Sequence, residues 1–270
     1  MTSSLYLSTT EPRSGKSLVV LGILDLILKK TTRIAYFRPI IQDPIDGKHD
    51  NNIDLVLENF HLQQSYQDSF GLYLHEAVTL ASQGELDRVL DRILGKYRLL
   101  ADRVDFIFCE GSDYIGEESA FEFNMNTTIA KMLNCPILLL GNADNNTIED
   151  ALHPIDMALN AYEEQSCQVV GVIINKVKHA LQGEIQGALE THYGDRPMLL
   201  ATIPEDKLLN SLRLREVAQG LNAQVLSGEH LLDILVSSHL VLAMQIAHAL
   251  HWLTDNNTLI ITPGDRGDII

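Results

Sequence analysis

Nine residues near the N-terminus constrain this 270-residue chain more than any other stretch: Thr9-Thr10-Glu11-Pro12-Arg13-Ser14-Gly15-Lys16-Ser17. The apolar run Leu5-Tyr6-Leu7 precedes them, and residues 18–30 carry a helical apolar pattern after them. Strand, loop, Gly-Lys-Ser and helix in that order is the layout of a phosphate-binding P-loop. The first N–H groups of a helix have no partner within it, and the positive end of the helix dipole adds to them. An anion placed there meets both. In this reading Thr10, Glu11, Ser14 and Gly15 cradle phosphate. Lys16 reaches the outer phosphates, and the Ser17 hydroxyl sits on Mg²⁺.

The match departs from the common pattern at its start. Thr10 stands six residues before Lys16, where the pattern has Gly, and Thr9 is not Gly either. Gly takes φ > 0 freely, and Thr does not. Two plainer readings stand beside phosphate binding. One is a Gly-Lys-Ser in an ordinary strand–helix turn. The other is a P-loop fold that has lost tight nucleotide binding.

A net charge of −16 excludes a nucleic-acid partner, which needs a basic surface, and disfavours an anionic membrane. Cys109, Cys135 and Cys167 form no C-x-x-C pair and lie in or beside apolar runs, so buried free thiols in a reducing cytosol are expected. The N-terminus lacks the charged-then-apolar layout of a signal peptide, which also points to a cytoplasmic protein. Residues 234–253 carry no Asp, Glu, Lys or Arg, a length that spans a bilayer. His239, Gln245, His248 and His251 within them favour a buried strand or turn followed by a core-facing helix.

Short apolar runs at 5–7, 34–37, 104–109, 136–140, 169–174 and 198–203 do not alternate with polar residues. Such runs suit strands buried on both faces of a parallel sheet. Helical patterns fill 18–30, 72–81, 86–101, 121–133, 147–163, 180–193 and 208–219. The alternation predicts an α/β, doubly wound, mostly parallel sheet of P-loop NTPase type. Ligands in that architecture bind outside the carboxyl ends of the strands. The pattern changes after about residue 220. Residues 223–226 read as a short strand and 258–262 as another, and the tail reads as an interrupted second unit.

Taken in order, Gly15-Lys16-Ser17, Phe37-Arg38-Pro39-Ile40, Phe106-Ile107-Phe108-Cys109-Glu110-Gly111, Ile173-Ile174-Asn175-Lys176 and Ile203-Pro204 resemble the dethiobiotin synthetase and cobyrinic acid synthase group. The chain is most similar to the N-terminal region of long-form phosphate acetyltransferases. On that resemblance residues 1–215 are a dethiobiotin synthetase-like domain. Residues 220–270 are a partial α/β DRTGG-like segment, with Thr262-Pro263-Gly264-Asp265-Arg266 as its motif and Gly267-Asp268 where Thr-Gly-Gly would follow. No acetyltransferase domain is present in these residues.

The resemblance implies ATP and Mg²⁺ as cofactors. It makes Lys16 and Arg38 the candidate catalytic groups, Ser17, Asp54 and Glu110 the metal ligands, and Asn175 a residue at the adenine edge. Arg38 replaces a lysine of dethiobiotin synthetase and cannot shuttle a proton. The residues alone leave other roles open. Glu110 and Asp54 also suit helix N-termini, Arg38 a turn before Pro39, and Asn175 a local cap. The two Glu pairs at 117–118 and 163–164 read as solvated faces, and Lys16 as an exposed loop lysine.

Three functions follow. The first is a nucleotide-binding regulatory or sensing protein, related in role to an acetyltransferase partner. The second is an ATP-dependent ligase activating a carboxylate or carbamate. The third is a pseudo-NTPase scaffold. Relatives of dethiobiotin synthetase are dimers, and the apolar surface of 220–270 is too small to bury itself, so a homodimer is expected.

Overall fold

Runs of Ile, Val, Leu and Phe too continuous to leave a wet face become the strands of one parallel sheet. A computed structural model describes all residues except 1, 45–46, 113–118, 145–146, 207, 210, 245–247, 249–250, 253–256 and 270, and no side chains at 119–122. The sheet strands are β1 (Ser3–Thr9), β2 (Ile34–Ile41), β3 (Phe70–Tyr73), β4 (Phe106–Glu110), β5 (Ile137–Asn142), β6 (Val169–Val177) and β7 (Leu199–Pro204). They lie in the order β3-β2-β4-β1-β5-β6-β7, and all neighbours are parallel. The helices are α1 (Lys16–Leu28), α2 (Asn51–Phe60), α3 (Leu74–Ser82), α4 (Leu86–Ala101), α5 (Ser119–Leu133), α6 (Ile148–Glu164) and α7 (Gln182–Tyr193).

Successive side chains of a strand point to opposite faces, and here they feed two separate cores. Tyr6, Phe37, Ile107, Cys109 and Leu139 pack with residues of α3, α4, α5, α6 and α7. Leu7, Tyr36, Phe108 and Leu140 pack with Val19, Val20 and Leu24 of α1 and Ile53 and Val56 of α2. Helices on both faces of a parallel sheet make the fold doubly wound α/β. The central strand β1 lies between β4 and β5, so the chain reverses its direction of travel there. That reversal opens a crevice at the carboxyl end of β1, where the Thr9–Ser17 loop begins.

Some boundaries differ from the sequence reading. The helical pattern at 72–81 is β3 followed by α3, and β3 was not foreseen. Its four residues are too few to show a period. Residues 223–226 form no strand, and 208–219 hold a two-residue strand before a short helix. Cys109 and Cys135 are buried, whereas Cys167 is half-buried. Burial raises the Cys109 thiol well above its ordinary value.

The chain divides into two units, Met1–Glu205 and Asp206–Ile270. In the second, β8 (Leu212–Arg213) precedes α8 (Leu214–Gly220) and pairs antiparallel with β9 (Leu235–Val236). Asp233 meets both Arg213 and Arg215 beside this pair. β10 (Ser238–Val241) pairs parallel with β11 (Thr258–Ile261). Arg266 donates to the Met244 carbonyl at 3.0 Å and ties the segment after β11 to the one after β10. Much of the helix expected within 234–253, and the Glu pair at 117–118, lie outside the described residues. No helix among the described residues is long and apolar enough to cross a membrane.

Candidate functional site

Strand parity assembles the site. Tyr36 of β2 lies opposite Phe108 of β4, so Arg38 and Glu110, two residues further on each strand, face the same side. That side carries α1 and α2, and Lys16 opens α1. Glu110 ends β4 fully buried, and four donor groups surround its carboxylate. Oε2 accepts from the Tyr36 phenol, and Oε1 accepts from Asn52 Nδ2 at 3.1 Å. Lys16 Nζ and Arg38 Nε stand 3.1 and 3.3 Å from Oε1. Tyr36 and Asn52 donate hydrogen bonds to the carboxylate, and Lys16 and Arg38 place positive charge beside Oε1. Burial, then the Glu110 charge beside it, pushes the Tyr36 phenol well above its ordinary value. Tyr36 is therefore a standing proton donor to Glu110.

Lys16 is not the exposed loop lysine expected from sequence. It is 5% exposed. Its ammonium donates to the Gly111 carbonyl at 2.7 Å as well as meeting Glu110. Gly111 has no room for a side chain: a Cβ would lie 3.0 Å from Asn126 Oδ1 and 3.1 Å from the Leu7 carbonyl.

The loop before α1 turns at two left-handed residues, Arg13 (φ 57) and Gly15 (φ 78). Gly15 is the N-cap of α1, and neither a side-chain cap nor an acid in the first turn compensates that helix end. The buried hydroxyls of Thr9 and Thr10 have no hydrogen-bond partner among the described residues. Uncapped amides, a positive dipole end and spare hydroxyls are the complement of an oxyanion. Ser14 is buried in the same loop, and Glu11 sits on its partly buried side, where desolvation raises its carboxyl.

Asn175 comes to the loop itself. Its Nδ2 donates to the Ser14 carbonyl at 2.8 Å, and a Cβ on Gly15 would lie 2.4 Å from that nitrogen. These contacts brace the loop.

Asp54 does not join the cluster. It meets His49 at 3.2 Å and is 40% exposed. Asp54 lies about 200° round α2 from Asn52, at 100° per residue, so the two face opposite ways. The residues that reach the site from α2 are Asp50 and Asn52, which the sequence reading missed. Asp50 caps α2 by accepting from Asn52 N and Ile53 N, and its other oxygen pairs with Arg38. Asn52 bridges: Oδ1 accepts from Ser17 Oγ at 3.0 Å while Nδ2 donates to Glu110. An Asp directly before a helical run was the available signal for the cap.

These residues fit a phosphate better than a divalent cation. Among the described residues Lys16 and Arg38 pair with Glu110 and Asp50. Among the described residues no group of three or more His, Cys, Asp or Glu could hold a metal ion. A Mg²⁺ drawn to Glu110 and Ser17 would face the Arg38 guanidinium at close range.

Residues 3–213 match the family model described as AAA domain, and residues 216–270 match the model described as DRTGG domain. A phosphate acetyltransferase of Synechocystis sp. is 78% identical over all of this chain and 39% of its own length. One from Nitratidesulfovibrio vulgaris is 37% identical, with 100% of this chain and 39% of the relative covered. One from Pseudomonas putida is 25% identical, with 99% and 39% covered. The chain thus spans about two fifths of the length of the curated relatives it matches and corresponds to their N-terminal region.

Proposed function

Because this chain belongs to the AAA domain family, with a DRTGG domain after it, we propose that it binds a nucleotide by its phosphates at the Gly15–Ser17 loop. ATP is the nucleotide that the resemblance favours. The observation that carries this reading is the uncapped start of α1 beside Lys16 and the partnerless Thr9 and Thr10 hydroxyls. The role is sensing: nucleotide occupancy is reported to an acetyltransferase region like that of the relatives, in a cytoplasmic protein that pairs as a homodimer.

Arg38 favours sensing over the ligase reading. It is held between Asp50 and Glu110, and a guanidinium stays protonated. It positions charge and does not move protons. The scaffold reading draws on one observation, the Lys16–Glu110 ion pair, which an arriving phosphate must open.

A thermal-shift series with ATP, ADP, GTP and inorganic phosphate tests the proposal. A ligand at 100 times its Kd adds about 2.7 kcal/mol, and at this size that raises Tm by about 5–10 °C. A shift with nucleotide and a smaller one with phosphate alone is the expected result. No shift with any of them at millimolar concentration removes the proposal and leaves the scaffold.

A further inference from the structure

We infer that phosphate binding at this loop does not depend on a divalent cation, and that Asn52 is the residue that makes it so. The inference rests on the nucleotide-binding reading above and concerns the same site. In a phosphate site a Mg²⁺ does two things: it supplies positive charge to the phosphate oxygens, and it joins the loop hydroxyl to an acidic side chain. Both tasks are already taken by protein groups here.

The charge is supplied by Arg38 and Lys16, which stand 3.3 and 3.1 Å from the same oxygen of Glu110. A guanidinium is permanently cationic and well shaped for phosphate oxygens. The joining is done by Asn52, whose amide accepts from Ser17 Oγ at 3.0 Å and donates to Glu110 Oε1 at 3.1 Å. A carboxylate at position 52 could not do this. It has no N–H to donate to Glu110, and two carboxylates at hydrogen-bond distance repel unless a cation lies between them. The neutral amide satisfies both neighbours with no ion.

Asp50 does not restore a second acid. Its Oδ1 is spent on the N-terminus of α2 and its Oδ2 on Arg38. Among the described residues both acids are thus held by protein donors, and Lys16 and Arg38 are the cations beside Glu110.

The test compares the full chain with Asn52→Asp in two assays. ATP is titrated calorimetrically in EDTA and in excess Mg²⁺, and Mn²⁺ alone is titrated into ligand-free protein by electron paramagnetic resonance. The wild type is expected to bind ATP with Kd values agreeing within about threefold in the two buffers, and to leave the free Mn²⁺ signal unchanged. Asn52→Asp is expected to bind ATP at least about tenfold more tightly with Mg²⁺ than in EDTA, and to take up Mn²⁺. Circular dichroism shows that the variant is folded. A gain of about tenfold or more with Mg²⁺ in the wild type, or Mn²⁺ uptake by it, overturns the inference and leaves nucleotide binding standing. An Asn52→Asp variant as indifferent to both ions as the wild type overturns the part assigned to Asn52. Absence of ATP binding in both buffers refutes the nucleotide reading itself, and this inference with it.

Discussion

The Lys16 ammonium stands 3.1 Å from the Glu110 carboxylate, with 5% and 0% of the two side chains exposed. An ion pair removed from water is held by its geometry, and losing one partner strands the other. Here the stranding is softened, because Tyr36, Asn52 and Arg38 also serve Glu110. Glu110 therefore keeps partners of its own if Lys16 is lost.

The Gly15–Asn175 contact predicts a coupled pair. Gly15→Ala adds a Cβ 2.4 Å from Asn175 Nδ2 in a left-handed backbone position (φ 78). The expected destabilisation is about 2–5 kcal/mol, the sum of left-handed strain and overpacking. In an Asn175→Ala background the overpacking part vanishes, which leaves about 1–2 kcal/mol of backbone strain. Urea unfolding of the four proteins measures the difference. Additivity within about 0.5 kcal/mol would mean that the two residues do not touch.

Asp50 holds two jobs that two substitutions separate. Asp50→Asn keeps an oxygen for the N-terminus of α2 but loses the charge facing Arg38; Asp50→Ala loses both. The cap alone accounts for about 1 kcal/mol, and weakening a buried charge-assisted bond adds about 1.5–3 kcal/mol. The alanine variant is thus expected to be less stable than the asparagine variant by about the value of the cap. Equal midpoints in urea for the two would show that α2 is not capped by this side chain.

Alkaline pH should loosen the fold in a definite direction. Tyr36 is held well above the usual phenol value, and Tyr97 and Tyr193 are raised with it, all mainly by burial. Above about pH 10 the unfolded chain releases these protons and the folded chain keeps them. Stability is therefore fully present below pH 10 and falls as pH rises beyond it. Tyr66, Cys109 and Cys167 are raised by burial as well, whereas Lys96, lowered by partial burial, and Cys135, lowered by its hydrogen bond with Cys109, act in the opposite sense. Denaturant midpoints at pH 8 and pH 10.5, with phenolate absorbance followed in parallel, check this. A higher midpoint at pH 10.5 would contradict the burial of these phenols.

Much of the site was legible because it is written in short contiguous patterns. Gly15-Lys16-Ser17 follows an apolar run, and Glu110 ends another, so both fall at the carboxyl edge of a parallel sheet. Tyr36 was legible in principle, since it lies two residues before Arg38 and shares its face. Asn52 was not: it reaches the site through a helix whose apolar pattern is short and whose start depends on the Asp50 cap. Asp54 was named from the family resemblance, whereas the turn of α2 brings Asn52 to the site instead. The burial of Lys16 was hidden for a similar reason, because its partner carbonyl at Gly111 lies 95 positions away.

The most direct measurement of the central claim is a calorimetric titration of ATP into the full chain and into Lys16→Met, which keeps the stem and removes the charge. Circular dichroism and Tm establish that both are folded; a loss of about 1–3 kcal/mol in the variant is expected from the broken Glu110 pair. The account predicts saturable binding to the wild type and affinity at least about tenfold weaker in Lys16→Met. Equal affinity in the two proteins, or no heat from the wild type at millimolar ATP, would contradict it.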